Sequence, residues 1–268
     1  MINERIYLYE NDNSVYLDTY VRFKQTVNKR DAILVIPGGG YTAVSEREGE
    51  CTALAFLGRG YNTFVVTYNV DAASVFPRQL TDVALAIRHI KENAEKYHIN
   101  PERIFVLGYS AGGHILGTLL THANIAEEKL SLPENYLKVK GGIFCYPVVT
   151  AFGNTHVGSF RNLLNKPLEE YTEEEKTFFS IEKNVTASTP KAFIWHTSTD
   201  TSVPIDGTLK LAAAYHDAGL PVELHIYPYG PHGICLANEF SSDGKEHNIQ
   251  PLAEGWVESA DKWIKSVT

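Results

Sequence analysis

Ser110 stands in a sequence pattern that is typical of a nucleophilic serine. Residues 108–114 read GYSAGGH, preceded by the strand-forming segment RIFVL and followed by the helix-forming segment ILGTLLTHA. In such a strand–turn–helix the serine occupies a strained turn, and the positive end of the helix points at it. Gly108 and Gly112 have no Cβ atom, which lets strand and helix approach closely. We predict that Ser110 attacks an acyl group and that the amide of Ala111 donates to the resulting oxyanion; a tight turn without chemistry is the alternative.

The serine needs a general base, because a hydroxyl is a weak nucleophile near neutral pH. Catalytic side chains in parallel α/β sheets follow the carboxyl ends of strands. His232 meets this requirement, since it lies in the loop YGPHG after the strand-like segment VELHIYP. His196 is near a strand end but precedes a better-placed acid, and His114 is expected to pack or hydrogen-bond beneath the turn. The other histidines lie within elements or away from strand ends: His89, His98, His122, His156, His216, His225 and His247.

Two aspartates could orient this base. The segment KAFIWH is followed by TSTDTSVP, so Asp200 lies in the loop directly after a predicted strand. Asp206 lies beyond Pro204, where a negative charge at the start of the next helix would be stabilising. We therefore favour Asp200, and the chain order of serine, acid and histidine is one in which such triads occur.

The segment IPGGGY, at the end of a predicted buried strand, is suited to binding an oxyanion. Gly39 and Gly40 have no side chains that would block their amides, so we expect them to act as donors with Ala111. A phosphate-binding loop is disfavoured, because neither G-x-G-x-x-G nor a Lys-Ser/Thr pair is present. Tyr41 and Tyr109 are candidates for the wall of a substrate pocket; for Tyr41, aromatic packing is an open alternative.

The elements that must position these residues alternate between strand and helix. The N-terminal segments RIYLYE and SVYLDTYVRF flank the turn signal NDN, which predicts an antiparallel hairpin. Residues 32–37 are continuously apolar, as expected of a buried strand, and five further segments are similar: residues 61–68, 103–108, 141–147, 191–197 and 222–228. Helical patterns occupy residues 46–59, 79–98, 111–123, 204–218 and 252–267. We predict an α/β fold with a mainly parallel sheet of about eight strands, helices on both faces, and a single domain over residues 1–268.

Residues 150–185 interrupt this alternation. This stretch is polar and irregular, and it contains the segment PLEEYTEEEKTFF. A long excursion within a compact domain is usually functional or disordered. We expect a small helical, cap-like insertion over one end of the sheet that shapes the substrate pocket; a solvated surface helix without a role is the alternative.

Composition disfavours several classes of function. The net charge is −8 and no basic run occurs, which argues against nucleic acid or an anionic membrane as a partner. No apolar run approaches the roughly 20 residues that cross a bilayer, and the N-terminus lacks the apolar core of a secretory signal. Cys51, Cys145 and Cys235 fit neither a zinc site nor a disulfide framework. We predict free thiols, a cytoplasmic location, no metal and no cofactor; the oligomeric state, a homodimer included, is left open.

Together these motifs resemble the α/β-hydrolase superfamily. PGGGY is similar to the HGGG-type oxyanion loop of esterases and lipases, with Pro37 in place of the histidine. GYSAGGH, WHTSTDTSVP and YPYGPHG are similar to the branch containing bacterial acetyl esterases and acetylxylan-esterase-like proteins, some of them labelled sugar or xylan hydrolases. The similarity covers residues 30–265. It implies an α/β-hydrolase fold, no metal, and a triad of Ser110, Asp200 and His232.

These features predict a serine hydrolase of carboxylic esters that acts through an acyl-enzyme. The expected substrate is a small molecule with a short acyl group, such as an acetylated sugar. An amidase of the arylformamidase type, using the same residues, stays open. A glycosidase is disfavoured, because glycoside cleavage usually needs two facing carboxylates. A binding protein that kept the fold but lost activity is disfavoured too, since all triad residues and oxyanion glycines are present.

Overall fold

One mixed sheet positions the candidate residues. The computed structural model describes residues 2–22, 28–70 and 75–267, and the statements below concern these residues. Within them the strands are β1 (Arg5–Tyr9), β2 (Asp12–Tyr20), β3 (Arg30–Ile36), β4 (Asn62–Thr67), β5 (Ile99–Tyr109), β6 (Gly141–Cys145), β7 (Lys191–Thr197) and β8 (Val222–Tyr227). They pair in the order β1-β2-β4-β3-β5-β6-β7-β8.

The sheet is antiparallel at its N-terminal end and parallel elsewhere. Strand β1 pairs antiparallel with β2, and β2 pairs antiparallel with β4. The remaining neighbours are all parallel. The carboxyl ends of β3, β5, β6, β7 and β8 therefore meet along one edge, where ligand sites of such sheets form. The predicted architecture, with its hairpin and mainly parallel sheet, is confirmed.

Helices cover both faces of the sheet. They are α1 (Glu46–Gly58), α2 (Arg78–Glu92), α3 (Ser110–Lys129), α4 (Val157–Leu164), α5 (Glu173–Phe179), α6 (Asp206–Asp217) and α7 (Trp256–Ser266). Side chains of a strand alternate between faces. In β3, Leu34 packs in the core beneath α2 and α3, whereas Ile33 and Val35 pack in the core that contains Phe56 of α1 and Trp263 of α7. Among the described residues, no helix is both long enough and apolar enough to cross a bilayer.

The observed elements differ from the predicted ones mainly at their ends. Helix α2 ends at Glu92 rather than at the predicted residue 98. At this observed end, the Asn93 side chain donates to the carbonyl of His89. Helix α3 runs past residue 123 to Lys129, with non-helical dihedral angles at His122. The second predicted strand ends at Tyr20, and its last predicted position, residue 23, lies outside the described residues.

The segment between β6 and β7 is helical, as predicted. It contains α4 and α5, and it packs beside the carboxyl edge of the sheet. The Asn162 side chain of α4 donates to the carbonyl of Gly40 at 2.8 Å. The carbonyl of Phe179, at the end of α5, accepts from His114 of α3 at 2.8 Å. The insertion therefore contacts both the segment PGGGY at residues 37–41, called the glycine loop below, and the helix that begins at Ser110.

Candidate active site

Ser110 is the first residue of α3 and directly follows β5. Its φ of 51° is unusual for a residue with a side chain, and the residue is 6% exposed. A Cβ atom at Gly108 would lie 2.4 Å from the carbonyl oxygen of Gly112. A Cβ at Gly112 would lie 2.2 Å from the carbonyl oxygen of Ile36, in β3. Both glycines are therefore required for the close approach that presents the serine.

The structure brings Ser110, His232 and Asp200 together. His232 Nε2 lies 2.8 Å from Ser110 Oγ, and His232 Nδ1 lies 2.6 Å from Asp200 Oδ2. An ionised carboxylate can only accept, so Nδ1 carries the proton and Nε2 accepts from the serine hydroxyl. This is the protonation state in which a histidine can remove a proton from serine.

Asp200 is held in place by four hydrogen bonds. Its Oδ1 accepts from the amides of Ser202 and Val203, both at 2.9 Å. Its Oδ2 accepts from His196 Nε2 at 3.2 Å as well as from His232. Burial raises the pKa of Asp200, but the hydrogen bonds from His196, His232 and the Val203 amide, together with the electrostatic effect of His232, outweigh burial and hold the pKa well below its usual range. The carboxylate is therefore charged at neutral pH.

Asp206, the alternative acid, lies elsewhere. It is exposed at the first turn of α6, where Asn154 Nδ2 approaches its carboxylate at 3.3 Å. The preference for Asp200 over Asp206 therefore agrees with the positions of both side chains.

The glycine loop lies directly against the serine. A Cβ atom at Gly38 would be 2.9 Å from Ser110 Cβ. Gly39 has a φ of 135°, and a Cβ there would be 2.0 Å from the carbonyl oxygen of Ala43. No residue in the described part of the chain accepts a hydrogen bond from the amides of Gly39 or Gly40. The amide of Ala111 is in the first turn of α3, where no preceding helical carbonyl is available. These three amides are free to bind a ligand oxygen.

Glu48 and Tyr146 support this loop, and sequence reasoning missed both. Glu48 Oε2 accepts from the amide of Gly38 at 2.8 Å, and Oε1 accepts from the Tyr146 hydroxyl at 2.7 Å. Glu48 and Tyr146 are 4% and 1% exposed. The Tyr146 ring also stands edge-on to His232, with centroids 5.0 Å apart. An acidic residue in the first turn of a helix is typically exposed, so this buried role cannot be inferred from the sequence pattern.

The loop that carries His232 is anchored on both sides. The Thr197 hydroxyl donates to the carbonyl of Gly230 at 2.8 Å. On the other side, the amide of Cys235 donates to the Tyr146 hydroxyl at 3.0 Å, and Trp256 Nε1 donates to the carbonyl of Cys235 at 3.0 Å. The Trp256 ring is itself stacked on Trp195. These bonds fix the histidine at the end of β8.

The prediction that Tyr109 lines a substrate pocket is wrong. Its side chain is 0% exposed, and its hydroxyl bonds to Thr52 Oγ1 at 2.7 Å on the face of the sheet covered by α1 and α7. Residues alternate along a strand, so the position before the serine points away from the site. For Tyr41 the structure shows the packing alternative. The residue is 4% exposed, and its hydroxyl donates to His114 Nδ1 at 2.7 Å.

His156 is a third residue that sequence reasoning missed. Its position in the sequence is remote from the predicted strand ends, but the insertion brings it over the glycine loop. Its Cε1 atom lies 3.9 Å from the Cβ position of Gly40. No sequence pattern places an insertion relative to the sheet, so only the three-dimensional structure reveals this contact.

The described residues contain no group of three or more side chains suited to holding a metal ion. Cys51, Cys145 and Cys235 are free thiols, as predicted. A groove of about 750 Å³ beside the β1–β2 hairpin is lined by residues such as Tyr16 and Thr42 and is separate from the serine.

Comparison with known proteins relates the chain to xylan-acting enzymes and esterases. Residues 17–215 match the sequence family described as BD-FAE. Endo-1,4-beta-xylanase B of Butyrivibrio fibrisolvens is 39% identical over 232 residues, which cover 83% of this chain and 36% of that protein. The acetylxylan esterase of Xylanibacter ruminicola is 27% identical over 242 residues, covering 88% and 45%. The chain thus spans less than half the length of these two curated relatives.

Two solved structures match over nearly the full length of both chains. The α/β hydrolase MGS-M1, from a Medee basin deep-sea metagenome library, has a TM-score of 0.81 and 31% identity, covering 100% of this chain and 98% of that one. The acetyl ester-xyloside bifunctional hydrolase from Caldicellulosiruptor lactoaceticus has the same TM-score and identity, covering 98% and 96%.

Proposed function

The chain belongs to the BD-FAE family of α/β-hydrolases, and from this premise we propose that it is a serine hydrolase of carboxylic esters. The observation that carries the proposal is the hydrogen-bonded series Ser110–His232–Asp200 beside the unpartnered amides of the glycine loop. Acyl transfer to serine requires a hydroxyl, a neutral imidazole and a buried carboxylate in this arrangement.

In the first half of the reaction, Ser110 Oγ attacks the ester carbonyl carbon while His232 Nε2 takes the hydroxyl proton. The electron pair of the carbonyl bond moves onto its oxygen, which the amides of Gly39, Gly40 and Ala111 stabilise. The tetrahedral intermediate collapses, the bond to the alcohol oxygen breaks, and His232 gives its proton to that oxygen.

In the second half, water hydrolyses the acyl-enzyme. His232 Nε2 accepts a proton from the water as its oxygen attacks the acyl carbon, and the same amides bind the second oxyanion. Collapse of this intermediate returns the proton to Ser110 Oγ and releases the carboxylic acid. Throughout, Asp200 keeps the imidazole in the required tautomer and stabilises its charged form.

We propose an acetyl group on a sugar as the substrate. Two similar proteins are named for acetylated xylan or an acetyl ester, and a third is named as a xylanase. The chain covers only 36% of the xylanase, so the match does not assign glycoside cleavage to this segment. The series around Ser110 serves acyl chemistry, whereas glycoside hydrolysis typically uses two facing carboxylates.

The test measures hydrolysis of p-nitrophenyl esters from acetyl to octanoyl, together with acetate release from acetylated xylo-oligosaccharides. We expect the acetyl ester to give the highest kcat/KM of the series. Ser110→Ala should lower kcat by about 10⁴–10⁶ and abolish labelling by a fluorophosphonate probe. The matched control is Ser188→Ala, an exposed serine in the loop before β7.

Three results would contradict the proposal. Ser110→Ala with the wild-type rate would remove the nucleophile from the mechanism. Faster cleavage of N-formylkynurenine than of any ester would reassign the bond from ester to amide. Release of reducing sugar without release of acetate would favour glycoside cleavage.

A further inference from the structure

His156 lies at the start of α4 and caps this helix with its ring. His156 Nδ1 accepts the amide N–H of Ser159 at 3.2 Å and lies 2.8 Å from Ser159 Oγ. Because Nδ1 accepts from a main-chain amide, the proton of the neutral ring is on Nε2. The cap therefore fixes the tautomer and leaves Nε2–H as a donor.

Among the residues that the structure describes, none accepts a hydrogen bond from His156 Nε2. The residue is partly buried. Burial and then the nearby His232 lower the pKa of His156, while Asp200 acts in the opposite direction. The ring is therefore neutral near pH 7 and keeps the tautomer that the cap selects.

The ring faces the candidate active site. His156 Cε1 lies 3.9 Å from the Cβ position of Gly40, whose amide is a proposed oxyanion donor. Asn162, later in α4, donates to the carbonyl of Gly40 at 2.8 Å and so ties the helix to this loop. His156 is also near enough to His232 and Asp200 for both to influence its protonation.

We propose that His156 binds the alcohol part of the substrate by donating its Nε2–H to an oxygen of that group, such as a sugar hydroxyl or ring oxygen. The inference rests on the proposed function. In that mechanism the departing alcohol oxygen must lie next to His232 Nε2 to receive its proton. A donor that lies beside the glycine loop, on a ring near enough to His232 and Asp200 to be influenced by both, is therefore placed to meet the alcohol part of the substrate.

Two substitutions distinguish the role of His156 Nδ1 in the helix cap from the proposed role of Nε2 as a donor to the substrate. His156→Asn retains an oxygen near the position of Nδ1, and Asn is a good helix N-cap, but it cannot reach as far as Nε2. His156→Gln places an amide donor near the position of Nε2 and loses the cap. Val157→Ala, on the same helix and exposed, is the matched control. Each variant is assayed on two acetyl esters that differ only in the alcohol, p-nitrophenyl acetate and an acetylated xylo-oligosaccharide.

For His156→Asn, we expect kcat/KM on the sugar ester relative to kcat/KM on p-nitrophenyl acetate to fall about tenfold, the usual effect of losing one good hydrogen bond. His156→Gln should recover most of this ratio despite a lower Tm, because it keeps the donor. Val157→Ala should retain the wild-type ratio.

Two outcomes overturn the inference. Unchanged kcat/KM values on both esters in His156→Asn would mean that the ring does not contact the alcohol. Equal losses on both esters would assign the ring to the oxyanion instead. Failure of the proposed function is distinguishable from both, since the wild-type chain would then hydrolyse neither ester.

Discussion

Asp200 and Asp206 have the same side chain, but Asp200 lies in the connection between β7 and α6 whereas Asp206 is the first residue of α6, and their surroundings differ. Asp200 has four donors and a side chain with 0% exposure, whereas Asp206 is exposed. The chemistry of the site depends on this difference, because the buried and fixed Asp200 carboxylate holds the His232 imidazole in one tautomer and stabilises its charged form.

We expect Asp200→Asn to lower kcat by about 10⁴, because an amide can donate to His232 Nδ1 and so stabilise the wrong tautomer. Asp206→Asn is the matched control and should stay within about twofold of the wild type, since surface substitutions have small effects. Steady-state kinetics on p-nitrophenyl acetate measures both. Similar losses in the two variants would show that the acid has been misassigned.

Glu48 offers a second test at the level of single residues. Glu48→Gln keeps one acceptor but replaces the other oxygen with a donor, so Gly38 N–H and the Tyr146 hydroxyl cannot both keep their bonds. We expect kcat to fall about 10–10²-fold, less than the 10²–10³ for outright loss of an oxyanion donor. Glu46→Gln, exposed in the same helical turn, is the control. A wild-type kcat in Glu48→Gln would disprove that the carboxylate positions the glycine loop.

At the level of elements, the close packing of β5, α3 and β3 sets the position of the serine. Gly112 lies where the first turn of α3 meets the end of β3, and its Cβ would be 2.2 Å from the Ile36 carbonyl oxygen. Gly58, at the end of α1, has no heavy atom within 4 Å of its Cβ position. The two glycines are both helical but differ in the space around them.

Gly112→Ala should destabilise the protein by more than about 3 kcal/mol, because backbone atoms must move to admit the methyl group. Gly58→Ala should instead be neutral or stabilise by up to about 1 kcal/mol, through its effect on the unfolded chain. Urea denaturation of each variant gives the change in the free energy of unfolding. A Gly112→Ala variant as stable as the wild type would contradict the packing described here.

Strands β3 to β8 were predictable from sequence because each is rich in apolar residues, and the β1–β2 hairpin was predictable from the turn signal between its two segments. Helix ends were less predictable. The end of α2 depends on a bond from the Asn93 side chain, and the N-cap of α4 is His156, a residue type that rarely caps helices. The bend in α3 occurs at His122, next to Thr121. The Thr121 hydroxyl bonds both to the Gly117 carbonyl and to His122 Nδ1, and apolar periodicity does not indicate such side-chain bonds.

On the scale of the whole molecule, His114 joins three distant parts of the chain. Its Nδ1 accepts from Tyr41 of the glycine loop, and its Nε2 donates to the Phe179 carbonyl of the insertion. The residue belongs to α3, so one ring connects the serine helix, the glycine loop and the insertion. Burial lowers the pKa of His114 to about 4.

This shift predicts how stability depends on pH. In the unfolded chain a histidine has a pKa of about 6.5, so between pH 6.5 and 4 the unfolded state binds more protons than the folded state. The contribution of His114 to stability is therefore complete above pH 6.5 and is lost as the pH falls toward 4, by at most about 1.4 kcal/mol per pH unit.

His114→Gln should lower stability at pH 7 but show a smaller loss between pH 6.5 and 4.5, because glutamine does not titrate. Denaturation curves of the wild type and the variant across this range measure the two slopes. Equal slopes would show that His114 is not kept neutral by the fold.

The three triad candidates could be selected from the sequence, but the hydrogen bonds that support the glycine loop could not. Ser110, Asp200 and His232 could be selected because each follows a strand whose carboxyl end must lie at one edge. Glu48 and Tyr146 could not, since their bond joins residues 98 positions apart and depends on how α1 packs on the sheet. A cytoplasmic location and a single domain stay predictions.

Trp256 gives this protein a built-in optical probe. Its indole N–H bonds to the segment that carries His232, and its ring lies on that of Trp195 with centroids 5.2 Å apart. Indole emission responds to hydrogen bonding and to neighbouring rings. Displacement of that segment would therefore change the fluorescence of unlabelled protein. Stopped-flow mixing with an ester would show whether the segment is displaced during the reaction.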